Sequence, residues 1–305
     1  EDLPQRWNDQ PSERAASLRL ALENLEQLVG LEPVKETVRQ LAARVQLESI
    51  LAQNQANRPP RRALNFIFFG NPGTGKTTVA RLMGKILFAT GALPSERVTE
   101  VTRRDLVAEY VGQTAAKTHA AILSALDGIL FIDEAYTLHP RSAGDYAGEA
   151  LAELIKGIDQ YPQRLVVILA GYPEEMAALV DSNPGLASRF PNALNFPNYS
   201  IQNLFRILAG LAARDGIRIP TPVREAIFRS LFHQQRLQRS RFGNARSAEN
   251  LYEQIINRMA VRLQPQLAKG EIDPTLLSLT LEDVPPLAES TEPLDNASGD
   301  GNSVR

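Results

Sequence analysis

The chain has 305 residues, of which 43% are hydrophobic and 22% charged, with a formal net charge of −2 and no cysteine. That length holds one large domain or two ordinary ones, and the charge balance argues against a general electrostatic nucleic-acid binder. The missing cysteine removes disulfides, thiolate catalysis and cysteine metal sites. No apolar run approaches the roughly 20 residues that span a bilayer, and no signal peptide is visible, so a cytoplasmic setting without membrane insertion is the default expectation.

The chain starts at Glu1 rather than Met, as a fragment or processed chain would, which leaves room for an upstream domain. Residues 1–16 are read as a flexible, largely polar arm. Leu18, Leu22, Leu25 and Val29 then recur on one helical face, which Gly30 stops. A second helix starts near Pro33, with Val34, Val38, Leu41 and Val45 on its apolar face. A polar stretch, Gln53–Arg62, ends it. Asn65–Phe69 is short, apolar and aromatic, as a buried strand would be, and a helix is expected from Lys76 to Thr90. Val98–Val101, Ile129–Ile132, Leu165–Ala170 and Leu194–Phe196 are further strand candidates. Strands alternating with helices predict an α/β core with a parallel sheet covered on both faces. After Pro197 the pattern becomes helical only: Leu204, Leu208 and Leu211; Val223, Ile227 and Leu231; Leu251, Ile255, Met259 and Leu263. The reading is a core over 17–199, a small all-helical domain over 200–285, and a disordered Pro-, Ser-, Asn- and Asp-rich tail over 286–305.

The chemistry sits at the first strand's end. Gly70-Asn71-Pro72-Gly73-Thr74-Gly75-Lys76-Thr77 fits the phosphate-binding pattern G-x-x-x-x-G-K-[ST]. Glycines let backbone N–H groups turn onto phosphate oxygens, and the helix opening at Lys76 adds its positive end. Lys76 is expected on the β- and γ-phosphates and the Thr77 hydroxyl on Mg²⁺. A second strand, Gly128–Ile132, ends in Asp133 and Glu134. Asp133 would hold Mg²⁺ and Glu134 would polarise the attacking water. The plainer alternative, Asp133 as a helix cap, explains one carboxylate but not the pair. No Asn-Lys-x-Asp guanine-reading run and no Leu-Ser-Gly-Gly-Gln run is present, which argues against a GTPase or a transporter ATPase. The acidic pair favours hydrolysis of ATP over simple phosphate transfer.

From about Leu25 to Leu281 the sequence resembles AAA+ ATPases of the CbbX/CfxQ type. That group includes red-type Rubisco activases, the sporulation stage V protein K and the C-terminal ATPase domain of the secretion protein EccA. The resemblance rests on Leu28–Leu31, Gly70–Thr78, Glu109–Thr114, Gly128–Tyr136, Leu165–Tyr172, Asn183–Phe190 and Gly243–Arg246. It implies an α/β/α P-loop core followed by a helical lid, assembled with itself or a sister subunit into a hexameric ring. ATP would lie between core and lid at a subunit interface.

Residue by residue, the resemblance places Val29 and Gly30 at the adenine pocket, where the alternative is a plain helix stop. It places Thr78 beside the phosphates, Arg189 as the arginine finger of a neighbouring site, Tyr172 at the sensor-1 position and Arg246 as the lid's sensor-2 arginine. A guanidinium in the finger role is worth roughly 10³–10⁵ in rate in other systems. Many relatives carry a second arginine where this chain has Ala187, which predicts weaker hydrolysis or a need for a partner subunit if that arginine acts in assembly. Arg236, Arg239 and Arg241 read as a solvated face.

Tyr110-Val111-Gly112 matches the family's pore loop. An aromatic ring can wedge against any peptide, and the glycine lets the loop swing; the alternative is a core aromatic. Lys117 reads as a solvated lysine, and His139–Gly148, with Arg141, Asp145 and Tyr146, as a candidate second pore loop. The expected function is a Mg-ATP-driven ring motor that remodels a protein, with Rubisco the sharpest candidate target. A sporulation or secretion target, a nucleic-acid motor and a nucleotide-switched scaffold are the competing readings.

Overall fold

The structure is a computed structural model that describes residues 11–53, 63–110, 112–140, 145–238, 242–268 and 277–287. Residues 1–10 of the expected arm, Val111, Arg141, Arg239, Arg241 and the tail from 288 onward lie outside the described residues. The elements run α1 (Pro11–Glu26), α2 (Glu32–Gln53), β1 (Phe66–Gly70), α3 (Lys76–Ala89), β2 (Val98–Val101), α4 (Arg103–Leu106), α5 (Thr114–Ser124) and β3 (Gly128–Ile132). A 3-10 turn follows at Ala135–Leu138, then α6 (Ala147–Gln160), β4 (Leu165–Gly171), α7 (Pro173–Asp181), α8 (Pro184–Arg189) and β5 (Asn192–Phe196). Last come α9 (Ile201–Arg214), α10 (Thr221–Gln238) and α11 (Ala245–Leu267). Among the described residues no helix is long and apolar enough to cross a membrane.

All five expected strands form, in one parallel sheet ordered β2-β3-β4-β1-β5. Alternation along β1 decides what each face receives. Ile67 joins Leu130, Ile132, Val167 and Leu169 in a buried cluster with Ile122 of α5, Leu151 and Leu154 of α6, and Met176 and Leu179 of α7. Phe66 and Phe68 point the other way, and Phe68 packs on Phe131 and Phe196 with ring centroids 6.4 and 5.0 Å apart. Val79, Met83, Ile86 and Leu87 of α3 are fully buried beside that face. A sheet buried on both faces needs near-continuous apolar strands, which is why β3 and β4 are apolar at every interior position.

Two local expectations change. The first helix begins at Pro11, inside the stretch read as an arm, because proline suits a first helical turn. It ends at Glu26, so Val29 falls in the following turn rather than on the face of Leu18 and Leu25. Lys35 closes that turn from within: its buried ammonium donates to Glu26 O (3.1 Å) and Glu32 Oε1 (3.3 Å).

The chain divides into two compact units. The first holds the chain through Ile207 together with Gly243–Ala248; the second holds Leu208–Phe242 and the chain from Glu249 onward. In the second unit Ile227 and Leu231 of α10 and Leu251 and Ile255 of α11 are buried. Asp283 is buried there, and the Arg262 fork donates to both its oxygens at 2.9 Å. Burial pushes that carboxyl up, but Arg262 and two donors from Thr280 together outweigh it and hold it below the usual range. The expected all-helical pattern is interrupted only by a single parallel bridge, Arg218 with Ser278, among the described residues.

Candidate nucleotide site

Strand register sets the site. Phe69 lies opposite Gly171, Gly70 opposite Phe196, and Ile132 opposite Leu169. The residues that follow β1, β4 and β3 therefore leave the sheet at its C-terminal edge, where open α/β sheets bind ligands. Tyr172 emerges between Asn71 and Asp133, since β4 lies between β1 and β3.

The loop after β1 is tightly wound. Gly75 takes a left-handed φ of 95° and ends the loop where α3 opens at Lys76. Gly73 has φ 68°, and a Cβ built on it would stand 2.0 Å from the carbonyl oxygen of Gly243, so only glycine fits there. Lys76 Nζ donates to Gly70 O (2.7 Å) and Asn71 O (2.9 Å), and the buried Thr74 hydroxyl donates to Asn71 O (2.7 Å). The next two carbonyls face the returning segment: Asn244 Nδ2 donates to Pro72 O (3.1 Å) and Ala245 N to Gly73 O (3.0 Å). Burial pulls the Lys76 ammonium below its ordinary value; Asp133 and Glu134 oppose that shift, and Arg246 adds to it. Lys76, Asp133, Glu134 and Arg246 thus share one electrostatic neighbourhood. Thr77 is half-buried and Thr78 exposed on the first turn of α3.

Asp133 is half-buried, and its Oδ1 accepts the backbone N–H of Glu134 at 3.0 Å. Glu134 is exposed and sits at φ 51°, a left-handed conformation unusual outside glycine. Such a residue costs about 1–3 kcal/mol and persists only where its surroundings hold it. Thr137 does so here, donating to Glu134 O through its N–H (2.9 Å) and hydroxyl (2.7 Å). The Tyr172 ring packs on Tyr136, centroids 5.5 Å apart, rather than standing alone over the loop. Burial first, then Glu134, push the Tyr136 hydroxyl up to about 12.

On the opposite flank, Gly30 (φ 65°) and Leu31 (φ 63°) make a left-handed turn beside half-buried Val29. A Cβ on Gly30 would meet Asn203 Nδ2 at 2.7 Å, and Leu31 Cδ1 and the Tyr199 hydroxyl lie 3.2 and 3.4 Å from the Cβ position of Gly75. The Val29–Leu31 turn therefore borders the phosphate loop, as an adenine-pocket wall would. Arg246 is exposed on the first turn of α11, in the same unit as the loop. The donor set fits Mg-ATP: glycine-lined backbone, one ammonium, one hydroxyl and two carboxylates, converging on one sheet edge.

Arg189 lies elsewhere. Its carbonyl accepts from Asn65 Nδ2 (3.0 Å), just before β1, whereas the phosphate loop follows β1. At roughly 3.3 Å per residue, the five-residue strand puts the Arg189 carbonyl about 16 Å from the loop of its own chain. Its guanidinium forks onto Asp159, at 2.8 Å from Nε and 2.5 Å from Nη2. Asn65 is buried, and its Oδ1 accepts Val167 N at 2.8 Å, so one amide fixes the Arg189 backbone to β4.

Tyr110 is 68% exposed, which removes the reading as a core aromatic. Among the described residues, nothing lies within 4 Å of a Cβ added to Gly112, so that position is open. The base is not. Thr118 Oγ1 donates to Leu106 O (2.9 Å), and Lys117 Nζ to Arg104 O (2.5 Å) and Val107 O (3.2 Å). Lys117 is exposed, as a solvated lysine would be, and it also ties down the end of α4. In the candidate second pore loop, Asp145 turns inward to Arg103 at 2.5 Å, and Tyr146 precedes α6.

Sequence reading did not find Asn65, Asp159, Asn198, Tyr199, Asn203 or Asn244. Only Asn244 carried a signal, as the neighbour of Arg246 in Gly243–Arg246; the others depend on register between distant segments.

Comparison with known proteins agrees with this geometry. Residues 66–198 match the ATPase family associated with various cellular activities (AAA), and residues 200–293 match an AAA lid domain. The chain is 40% identical over 265 residues to protein CbbX of Cereibacter sphaeroides, covering 86% of this chain and 84% of that one. It is 36% identical to the chloroplastic ribulose bisphosphate carboxylase/oxygenase activase of Cyanidioschyzon merolae, covering 91% and 94%. It is 37% identical to stage V sporulation protein K of Bacillus subtilis, covering 77% and 73%. Among solved structures the FIGL-1 AAA domain superposes with a TM-score of 0.54 at 18% identity, covering 95% of this chain and 94% of that one, which supports the fold alone. The chain belongs to the AAA ATPase family, within its CbbX/CfxQ group, and is an ATP hydrolase.

Proposed function

We propose that this ATPase works as a ring of like or sister subunits that remodels a protein drawn through its centre, and that Rubisco is the target to test first. The observation that supports the ring is the place of Arg189, whose carbonyl is held by Asn65 at the end of β1 away from the phosphate loop, so that a finger role would be exercised in another subunit's site. Thr77 and Asp133 would hold Mg²⁺, which would draw charge off the phosphate oxygens. Lys76 neutralises charge on the bound phosphates, Asn71–Thr78 supply backbone and hydroxyl donors, and Val29 and Gly30 flank the base. Glu134 orients and polarises the attacking water, Tyr172 and Arg246 register the nucleotide's state, and Arg189 offsets charge developing in a neighbouring site. Tyr110, Val111 and Gly112 form the gripping loop, supported by the exposed ring and clamped base.

The test is Tyr110→Ala. ATP hydrolysis should stay within about twofold while remodelling of inhibited Rubisco is lost; retained remodelling would sink the pore-loop assignment. Inhibited Rubisco and a sugar bisphosphate should each raise the native ATPase rate. A flat response to both, with hydrolysis intact, would shift the target toward the second reading. That reading is a sporulation- or secretion-type target, favoured by the likeness to stage V sporulation protein K. Stimulation by DNA or RNA with steep salt dependence would instead favour a nucleic-acid motor, which the net charge of −2 argues against.

A further inference from the structure

We propose that Asn244 is a positioning residue of the phosphate loop: its side chain sets the direction in which the Gly73 N–H points. This role rests on Gly70–Thr77 being the ATP site and adds a residue to it. A trans peptide is planar, so its carbonyl and its N–H point opposite ways. The Pro72 carbonyl is held by Asn244 Nδ2, and the Gly73 carbonyl by the N–H of Ala245, the next residue along. The N–H groups of Gly73 and Thr74, on those same two peptides, are thereby turned away from the start of α11. On the site reading, that is the side the phosphates occupy. Gly73 has φ 68° and no side chain to restrain it, so without these two bonds its peptides could rotate.

Asn244 is built for this. It is fully buried, and both its amide donors and its carbonyl oxygen are engaged. Oδ1 accepts Tyr199 N (3.0 Å), while Nδ2 donates to Pro72 O (3.1 Å) and Asn198 Oδ1 (3.1 Å). Flipping the amide would set its donors against the Tyr199 N–H and its acceptor against two acceptors, so the orientation is unique. Asn198 Oδ1 also accepts from Asn71 Nδ2 (2.9 Å), which carries the cluster to the other end of the loop. The backbone of Asn244 sits at φ 51°, where glycine would be easier. The carboxamide is what glycine would lack. Because Asn244 immediately precedes α11, the same residue sets the loop and starts the helix whose first turn bears Arg246.

The test uses the full chain with Asn244→Gly, which keeps the left-handed backbone and removes the amide. Asn244→Asp accompanies it, keeping the bond from Tyr199 N but unable to donate to Pro72. Both should bind ATP about tenfold more weakly with a matching rise in KM, kcat staying within about threefold, and faster exchange of the Gly73 and Thr74 amides. Asn198→Ala leaves the Pro72 bond in place and should weaken ATP by about threefold, which keeps the test open if the buried variants fold poorly. A merely structural residue would lower the melting temperature without moving an affinity measured well below it. Folded Asn244→Asp binding ATP within twofold of the native chain, or Asn198→Ala weakening ATP as much as Asn244→Gly, would overturn the proposal. Failure of the native chain to bind ATP would overturn the site reading itself; native binding with undiminished variant binding overturns only the role of Asn244.

Discussion

The phosphate loop and the Tyr110 loop are both short glycine-containing links downstream of parallel strands, yet they are restrained in opposite places. In the phosphate loop the four successive carbonyls of Gly70, Asn71, Pro72 and Gly73 accept hydrogen bonds from Lys76, Thr74, Asn244 and Ala245. The loop is fixed along its length. In the Tyr110 loop the side-chain restraints sit at the base, on the carbonyls of Arg104, Leu106 and Val107, and nearer the tip, among the described residues, is a long backbone bond, Gln113 N to Tyr110 O (3.4 Å). A cradle gains from preorganisation, because donors aimed in advance need no rearrangement when charge develops. On the proposed pore-loop role, the Tyr110 loop would gain from a rigid root and a movable end, since its partner would vary in shape.

Three changes break or sharpen that contrast. The largest effect should come from Glu134→Gln, which leaves both loops intact. Removing the proposed water-polarising carboxylate should lower kcat by about 10²–10⁴-fold while ATP binding persists. Parallel turnover and equilibrium binding measurements check it, and unchanged turnover would revive the scaffold reading. Next is Gly73→Ala, which attacks the preset loop. Its Cβ would collide with the Gly243 carbonyl, 2.0 Å away, in a backbone that strains any side chain. ATP affinity should fall by about 100-fold, equivalent to roughly 2.7 kcal/mol, read by calorimetric titration.

The smallest effect concerns the root of the Tyr110 loop. Asp105 accepts the Thr102 N–H (2.8 Å) and hydroxyl (2.9 Å), which hold its carboxyl below the ordinary value, Lys117 adding to the shift. A depressed carboxyl contributes stability that is fully present above the unfolded value of 3.8 and is lost as pH falls through the folded value. Amide exchange around Leu106–Ala108, corrected for intrinsic rates, should therefore stay flat from about pH 7 to pH 5 and rise only below about pH 4. Asp105→Asn should abolish that pH dependence. An acid-induced rise that survives the substitution would assign the clamp to another group.

How much of this was legible follows from the range of the forces involved. The strands of the sheet could be read because Phe66–Phe69, Ile129–Ile132 and Leu165–Ala170 are continuous apolar runs that no exposed segment would keep. The phosphate loop and Asp133–Glu134 could be read because their residue types and spacing are local requirements of the chemistry. The start of the first helix was misplaced because polarity over residues 1–14 outweighed the helix-starting value of Pro11. Val29 was put on a helical face because its spacing fits; the helix stops at Glu26, and buried Lys35 satisfies the carbonyl left there. Asp159 under Arg189, Asn65 behind it and Lys117 on the carbonyls of α4 have no sequence signature, since each partner is set by tertiary register. Lys117 shows the difficulty well: nothing in the sequence tells that an exposed lysine on a helix also meets the carbonyls of Arg104 and Val107.

The contact between Gly73 and the carbonyl of Gly243 bears on how far this protein can be divided. The first unit is discontinuous, made of the chain through Ile207 and a six-residue return, Gly243–Ala248. A shortened chain ending at residue 198 would keep every glycine of the phosphate loop and every strand of the sheet. It would nevertheless leave the Pro72 and Gly73 carbonyls to water and remove the wall that restricts position 73. The phosphate loop is thus not a portable cassette: two of its carbonyls are held by residues some 170 positions downstream of the motif, so the loop keeps this geometry only in a chain that includes them.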